Sequence, residues 1–364
     1  MNGKRWWLIC AALFLMSFSA AASEAYPSLT EAADSAPRRG KFIDRLYQCV
    51  KKFSQIDTTY IEQQKYNFTV MLYNSNTYER YTLKSKDGQR VTFSPDMSYR
   101  VGPYFGWRWI CLGYTIDLRH VSLSSDHSTK KEFDMSFYSN QIGLDLFYRR
   151  SGNDYKVKRM TVGDGEEVEA MNRVGFDGIQ VGITGFNLYY IFNHKKFSYP
   201  AAYSQSTIQR RSAGSPLVGI GYTHHSLKLD APKLARLVHE KTLGEVALDS
   251  SFYFDKIKYS DISVSGGYAY NWVFARNWLF DASLSLALAY KHSRSESSHF
   301  FQNFSFHNFN FDGVGRFALV WNNSKWYAGT SAIFHTYNYN KSRFYISDVF
   351  GSLNFYVGFN FGKR

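Results

Sequence analysis

The sequence predicts an all-β chain: an antiparallel transmembrane β-barrel of about 12 strands, with a short N-terminal helix after a signal peptide. Three observations carry this expectation. Aromatic side chains make up 18% of the residues, as the pleated walls and interfacial girdles of such a barrel require. Hydrophobic residues reach 45%, yet the mean hydropathy is -0.36; alternating strands give that combination and membrane helices do not. From about residue 66 onward, apolar residues recur with a period of two. An aromatic-rich soluble β-protein would share the composition, so the N-terminus decides between the two.

There, Lys4 and Arg5 precede an apolar run from Trp6 to Phe18, and Ala20-Ala21-Ala22 offers small residues to a signal peptidase. Residues 1–22 therefore read as a secretory signal, cleaved near Ala22. Cys10 follows Ile9 within the apolar run, where a lipoprotein would need a small residue, so a lipid anchor is not expected. Residues 23–65 read as a periplasmic linker and short amphipathic helix. Pro27 and Pro37 lie in the linker, and Phe42, Leu46, Val50 and Phe53 share one face over 41–54. That helix would rest on the membrane surface or at the barrel mouth, or be a solvated helix without a role. No later run of about 18 apolar residues offers a helical span.

Removing Lys4 and Arg5 with the signal lowers the formal charge from +13 by two, to +11. A basic exported chain meets anionic lipid or glycan, and export excludes nucleic acid. The mature chain keeps Cys49 and Cys111, which an oxidising periplasm allows to pair; two cysteines make no disulfide framework, and the pairing stays open.

Residues 66–364 form the barrel domain. The clearest strand runs from Trp278 to Tyr290: Phe280, Ala282, Leu284, Leu286 and Leu288 share its apolar face, and Asp281, Ser283 and Ser285 lie opposite. About 9–11 tilted residues cross the hydrocarbon core, so this strand suffices. Ile142 to Arg149, Ile262 to Trp272 and Phe309 to Trp321 repeat the design, and Phe359 and Phe361 end an aromatic last strand. Spans are expected near 77–84, 98–106, 109–118, 131–139, 141–150, 181–193, 216–228, 262–273, 277–290, 308–321, 325–338 and 350–361. Tight links and long links alternate between them, as periplasmic turns and outer loops do. Residues 194–215 break the rule, since a short turn belongs there. Asn67 to Tyr73 is a further strand candidate that would make the count odd; it is an incomplete strand, or else a second strand hides near 205–212.

Four segments resemble a known family: Tyr66-Asn67-Phe68-Thr69-Val70-Met71-Leu72, Val101-Gly102-Pro103-Tyr104-Phe105-Gly106-Trp107-Arg108-Trp109, Ser198-Tyr199-Pro200-Ala201-Ala202-Tyr203-Ser204-Gln205 and Gly221-Tyr222-Thr223-His224-His225-Ser226-Leu227. Together they are similar to DUF4421, a domain-of-unknown-function family of exported proteins in Bacteroides-type Gram-negative bacteria. The resemblance runs from about residue 57 to the C-terminus and implies an outer-membrane barrel. It implies no substrate, reaction or active site.

The site candidates are the charges opposite the apolar stripes: Arg100, Asp117, Asp134, Asp145, Arg149, Asp281 and Arg316. They either line a water-filled pore or pair internally, with Asp145 and Arg149 as one such pair, and hold the barrel shut. His224, His225 and Ser226 form a second polar cluster. Adjacent strand residues point to opposite faces, so His225 and Ser226 cannot simply meet, and the cluster is a poor metal site. Gly313-Val314-Gly315 lies within a strand and relieves curvature rather than cradling phosphate. The expected role is a narrow passive pore or a closed structural barrel in the outer membrane, not an enzyme, with no cofactor. The rivals are a membrane-embedded lipid-modifying enzyme and a surface-binding barrel. Expected partners are outer-membrane lipid, lipopolysaccharide and the barrel assembly machinery; a solute or glycan ligand stays unknown.

Overall fold

The computed structural model describes residues 55–107, 110–113, 116–117, 131–150, 154–254, 256–293, 309–340 and 344–363. The expected signal peptide, the helix over 41–54 and Cys49 lie outside the described residues, as do the side chains of Cys111, Asp117 and Asp134.

Twelve strands among the described residues make a closed antiparallel wall. In chain order they are β1 (Tyr66–Ser85), β2 (Ser98–Trp107), β3 (in two pieces, Ile110–Gly113 and Ile116–Asp117), β4 (Lys131–Tyr138), β5 (Ile142–Arg150) and β6 (Ile179–Ile191). Then follow β7 (Ala213–Leu229), β8 (Lys256–Ala275), β9 (Trp278–Ser293), β10 (Phe309–Asn322), β11 (Trp326–Asn340) and β12 (Phe344–Lys363). Two long-range pairings complete the ring: β12 runs along β1 from Phe344↔Ser85 to Lys363↔Tyr66, and β5 pairs with β6.

The odd strand count disappears here. Asn67–Tyr73 and 77–84 are one strand, β1. The alternation faltered between them because Asn74, Ser75, Asn76 and Thr77 are all polar. The ladder crosses them without a break, and Asn76 and Ser75 hydrogen-bond to Leu353 O and Asn354 on β12.

The wall is apolar outside and polar inside, as the period-two pattern requires. Leu284, Leu286, Val264, Ile220 and Phe311 project outward and are exposed, while Asp281, Ser283, Asp312 and Arg316 are buried within. No described helix is long and apolar enough to cross a membrane; the crossing elements are strands.

Both mouths carry extra structure. At the long-loop end, Arg90–Pro95 pairs with the end of β1 and with Tyr155–Val162. This small sheet, helix α1 (Ala231–Lys241) and Phe252 share one apolar core with the inward residues Ile183, Tyr259, Tyr337 and Phe350 of the wall. Asp230 caps α1 by accepting from the Lys233 amide at 3.0 Å. At the tight-turn end, residues 194–215, where a short turn was expected, are not one: the segment up to residue 212 folds into the lumen. Its one-turn helix Tyr199–Tyr203 buries Ala201 and Ala202 against Leu279, Ala318, Val320 and Tyr356. The strand near 205–212 exists but stands outside the wall: Thr207–Gln209 pairs with Ile61–Gln63 as a separate two-stranded sheet.

Candidate functional site

Between the cap at the long-loop end and the plug at the tight-turn end lies a layer of buried charge. Arg316 on β10 ion-pairs with Asp145 on β5, and both are almost wholly buried. Going round the ring from β5 through β6, β7, β8 and β9 to β10 covers nearly half of it, so this pair spans the lumen. The second oxygen of Asp145 accepts from Ser136 Oγ at 2.7 Å, and the guanidinium of Arg316 lies 4.8 Å from the ring centre of Tyr189. Arg149 does not pair with Asp145 as expected. It points into the lumen higher up, with its guanidinium 4.4 Å from the ring centre of Phe350. Residues i and i+4 on a strand share a face but stand about 13 Å apart along it, too far for a direct ion pair.

Asp281 anchors the plug: its Oδ1 accepts from Tyr203 OH at 2.6 Å. Gln205 adds bonds to Tyr356 OH at 3.0 Å and, through its Oε1, from Asn322 Nδ2 at 3.0 Å. Asn271 Nδ2 donates to Ser198 O at 2.9 Å. Of the other expected charges, Arg100 lies half-buried on the inward face of β2, in register with Asp117.

A second cluster was missed. Lys291 Nζ donates to Asp312 Oδ1 at 3.1 Å and lies 3.8 Å from Asp261 Oδ2. His225 Nε2 is also 3.8 Å from that oxygen, and its ring stacks on Tyr259 with centroids 4.5 Å apart. Glu79, near the long-loop end of β1, accepts from Tyr155 OH at 2.7 Å, and Asp348 is fully buried opposite Tyr81. Asp261 and Asp348 fell just outside the expected spans 262–273 and 350–361. Those spans were drawn around the apolar stretches, whereas the strands run on past the apolar belt. Inward parity carried further along each strand would have found both.

A cavity of about 30 Å³ lies against Asn187, Tyr189, Ser263, Asp312, Arg316 and Tyr337, room for a water or two and no more. Among the described residues no cluster of His, Cys, Asp and Glu could hold a metal ion.

The His224, His225 and Ser226 cluster splits between faces. His225 points into the lumen; His224 and Ser226 point outward. The hydroxyl beside His224 is that of Ser260, its cross-strand partner on β8, with Nδ1 and Oγ 2.8 Å apart.

Residues 55–361 match the family described as Domain of unknown function (DUF4421). The chain belongs to that family. All four resembling segments fall within the matched range: one on β1, one running through β2, one forming the plug and one along β7. A search of curated proteins gave no match to this DUF4421 chain. Among solved structures it is similar to the outer membrane protease OmpT from Escherichia coli, at 6% identity and a TM-score of 0.33, over 81% of this chain and 97% of that one. It is similar also to the transport unit of the autotransporter AIDA-I from Escherichia coli, at 10% identity and 0.32, over 80% and 90%. A third is the outer membrane protein OprG from Pseudomonas aeruginosa, at 8% and 0.22, over 82% and 98%. Likenesses this distant assign no role to the DUF4421 chain. They do correct one expectation. A protease stands among the similar barrels, so the architecture gives no ground for reading the chain as a non-enzyme.

Proposed function

We propose that this protein is an outer-membrane barrel whose resting lumen is closed, not an open passive pore. The observation that carries the reading is the Arg316–Asp145 pair, which bridges two far-separated wall strands through the middle of the lumen. The plug below it is tied to the wall by Tyr203 and Asp281, and above it the cap packs one apolar core against inward residues of the wall. The apolar outer wall supports a membrane setting, and the tight links 139–141, 276–277 and 323–325 share one end, which supports setting that end in the periplasm. Planar-bilayer recording tests the reading: the purified barrel gives no steady conductance. A stable ohmic conductance from the unmodified barrel would overturn it.

One contact favours a second reading, an esterase-type activity on membrane lipid. His224 and Ser260 hydrogen-bond on the outer wall, where a lipid ester could reach a hydroxyl activated by an imidazole. Direct cross-strand partners also meet in this way for purely structural reasons, so the contact is a candidate and not yet a catalytic pair. Lipid hydrolysis that Ser260→Ala abolishes, with the barrel still folded, would establish it; no turnover by the unmodified barrel would remove it.

A further inference from the structure

The outer surface of the wall is not uniform near the long-loop end. Four neighbouring strands, β5 to β8, present one cross-strand row of outward residues: Arg150, Gly182, Ser226 and Lys258. Arg150 pairs in register with Gly182, Gly182 with Ser226, and Ser226 with Lys258. The row above it is Gln180, Lys228 and Lys256. The row below is Tyr148, Thr184, His224 and Ser260. Arg150, Lys228, Lys256 and Lys258 are all exposed, and none of the outward positions in the three rows is acidic.

Lys228 and Lys256 are direct register partners on one face. Like charges so placed destabilise a sheet, so folding alone does not explain the arrangement. An anion that binds there does. The row has the shape for one. Two cations flank two small residues across three strand spacings of about 4.8 Å each, so both side chains can bend toward one group seated over the middle. Gly182 leaves that middle open: a Cβ there would meet no atom nearer than Ser226 Cβ at 3.8 Å. The hydroxyls of Ser226 and Thr184 stand beside it as hydrogen-bond donors.

Directly below on the same strands lies the apolar belt, where Ile220, Val218, Ile262 and Val264 are exposed. We propose that this patch binds the phosphate of a phosphorylated glycolipid in the outer leaflet. The headgroup phosphate sits over Gly182 and Ser226 between Arg150 and Lys258, Lys228 and Lys256 take further negative charge, and the acyl chains cover the belt. A free anion has no use for the belt, and a plain apolar chain has none for the cations. The proposal rests on the orientation given under Proposed function, with the long-loop end at the cell surface.

The test uses the full-length barrel purified in neutral detergent, with binding of lipopolysaccharide measured against its dephosphorylated form and against inorganic phosphate. Three variants keep the fold under control by heat-modifiable gel migration. K228Q/K256Q/K258Q removes the charge and relieves repulsion. G182L fills the seat without a clash. R80Q/K84Q removes two outward cations from β1, on another sector of the wall. The expected result is binding that needs phosphate and weakens about ten-fold in each of the first two variants, with R80Q/K84Q unchanged. Equal binding of the dephosphorylated lipid, unchanged binding by both patch variants, or an equal loss in R80Q/K84Q would overturn the proposal. Inorganic phosphate binding as tightly as the lipid would overturn the choice of a lipid. An epitope inserted after Asp164 tests the orientation separately: if intact cells do not expose it, the orientation fails while the detergent binding still reads the patch itself.

Discussion

Arg316 and Asp145 lie 171 positions apart in the chain and meet in the middle of the barrel, each with its charge removed from solvent. An ion pair in that position is costly to break from one side only. Asp145→Asn or Arg316→Gln alone leaves a buried, uncompensated charge and should cost about 3–5 kcal/mol. The double replacement Asp145→Leu with Arg316→Met should recover most of that loss. Unfolding in detergent, followed by heat-modifiable migration, measures all three. Small and additive losses would mean that each charge is already solvated, and the lumen is wet.

In the proposed closed barrel, the plug and the charged layer bar the lumen in series. Replacing 197–209 by a Gly/Ser linker should therefore leave conductance low, because Arg316 still crosses the lumen. Adding Arg316→Ala and Asp145→Ala to that linker variant should raise it. Bilayer recording on the four combinations separates the closures; a large conductance from the linker variant alone would make the plug the sole barrier.

Leu284 faces outward and is 58% exposed, whereas the neighbouring Ser283 is 4% exposed within the lumen. Leu284→Arg should cost about 2–4 kcal/mol through the lipid face. Ser283→Arg should be at least as damaging, for a different reason. Its register partner is Arg316, and it would force a second guanidinium into a filled interior. Ser283→Ala should leave folding almost unchanged. Assembly yield in the membrane fraction checks the series, and tolerance of Ser283→Arg would indicate a roomier lumen.

The tight-turn mouth carries an ion cluster in which Glu62 receives Lys65 at 2.7 Å and Arg210 Nε at 2.6 Å. Burial on its own raises the Glu62 carboxyl, but the bonds from Lys65 and Arg210 outweigh it and hold the group below its ordinary 4.5. A depressed carboxyl stabilises the folded form above its ordinary value, and the effect is lost as pH falls through the lowered one. Hydrogen exchange at Thr207–Gln209 should thus quicken, relative to the wall strands, as pH drops below 4.5. Glu62→Gln should exchange quickly throughout and lose this pH dependence. Identical pH profiles for the two proteins would rule out the role given to Glu62.

The sequence by itself determined the wall. Alternation along Trp278–Tyr290 told which side chains meet lipid and which turn inward, because a strand's geometry ties face to parity and nothing distant can change it. The aromatic last strand was legible in the same way. What only the tertiary structure decided was how the inward residues meet. Asp145 found Arg316 and not Arg149, since partners across a lumen are set by ring closure and width, and local spacing contains neither. Residues 194–212 have no periodic pattern to betray a plug, because a segment packed among inward side chains answers to their shapes and not to a lipid face. Asp261 and Asp348 were hidden at strand ends, where the outward face turns polar and the alternation loses its contrast while the ladder continues. The row flanked by two cations followed the same rule. Each residue could be assigned to the outer face from parity, but only the register between strands put Arg150, Gly182, Ser226 and Lys258 side by side.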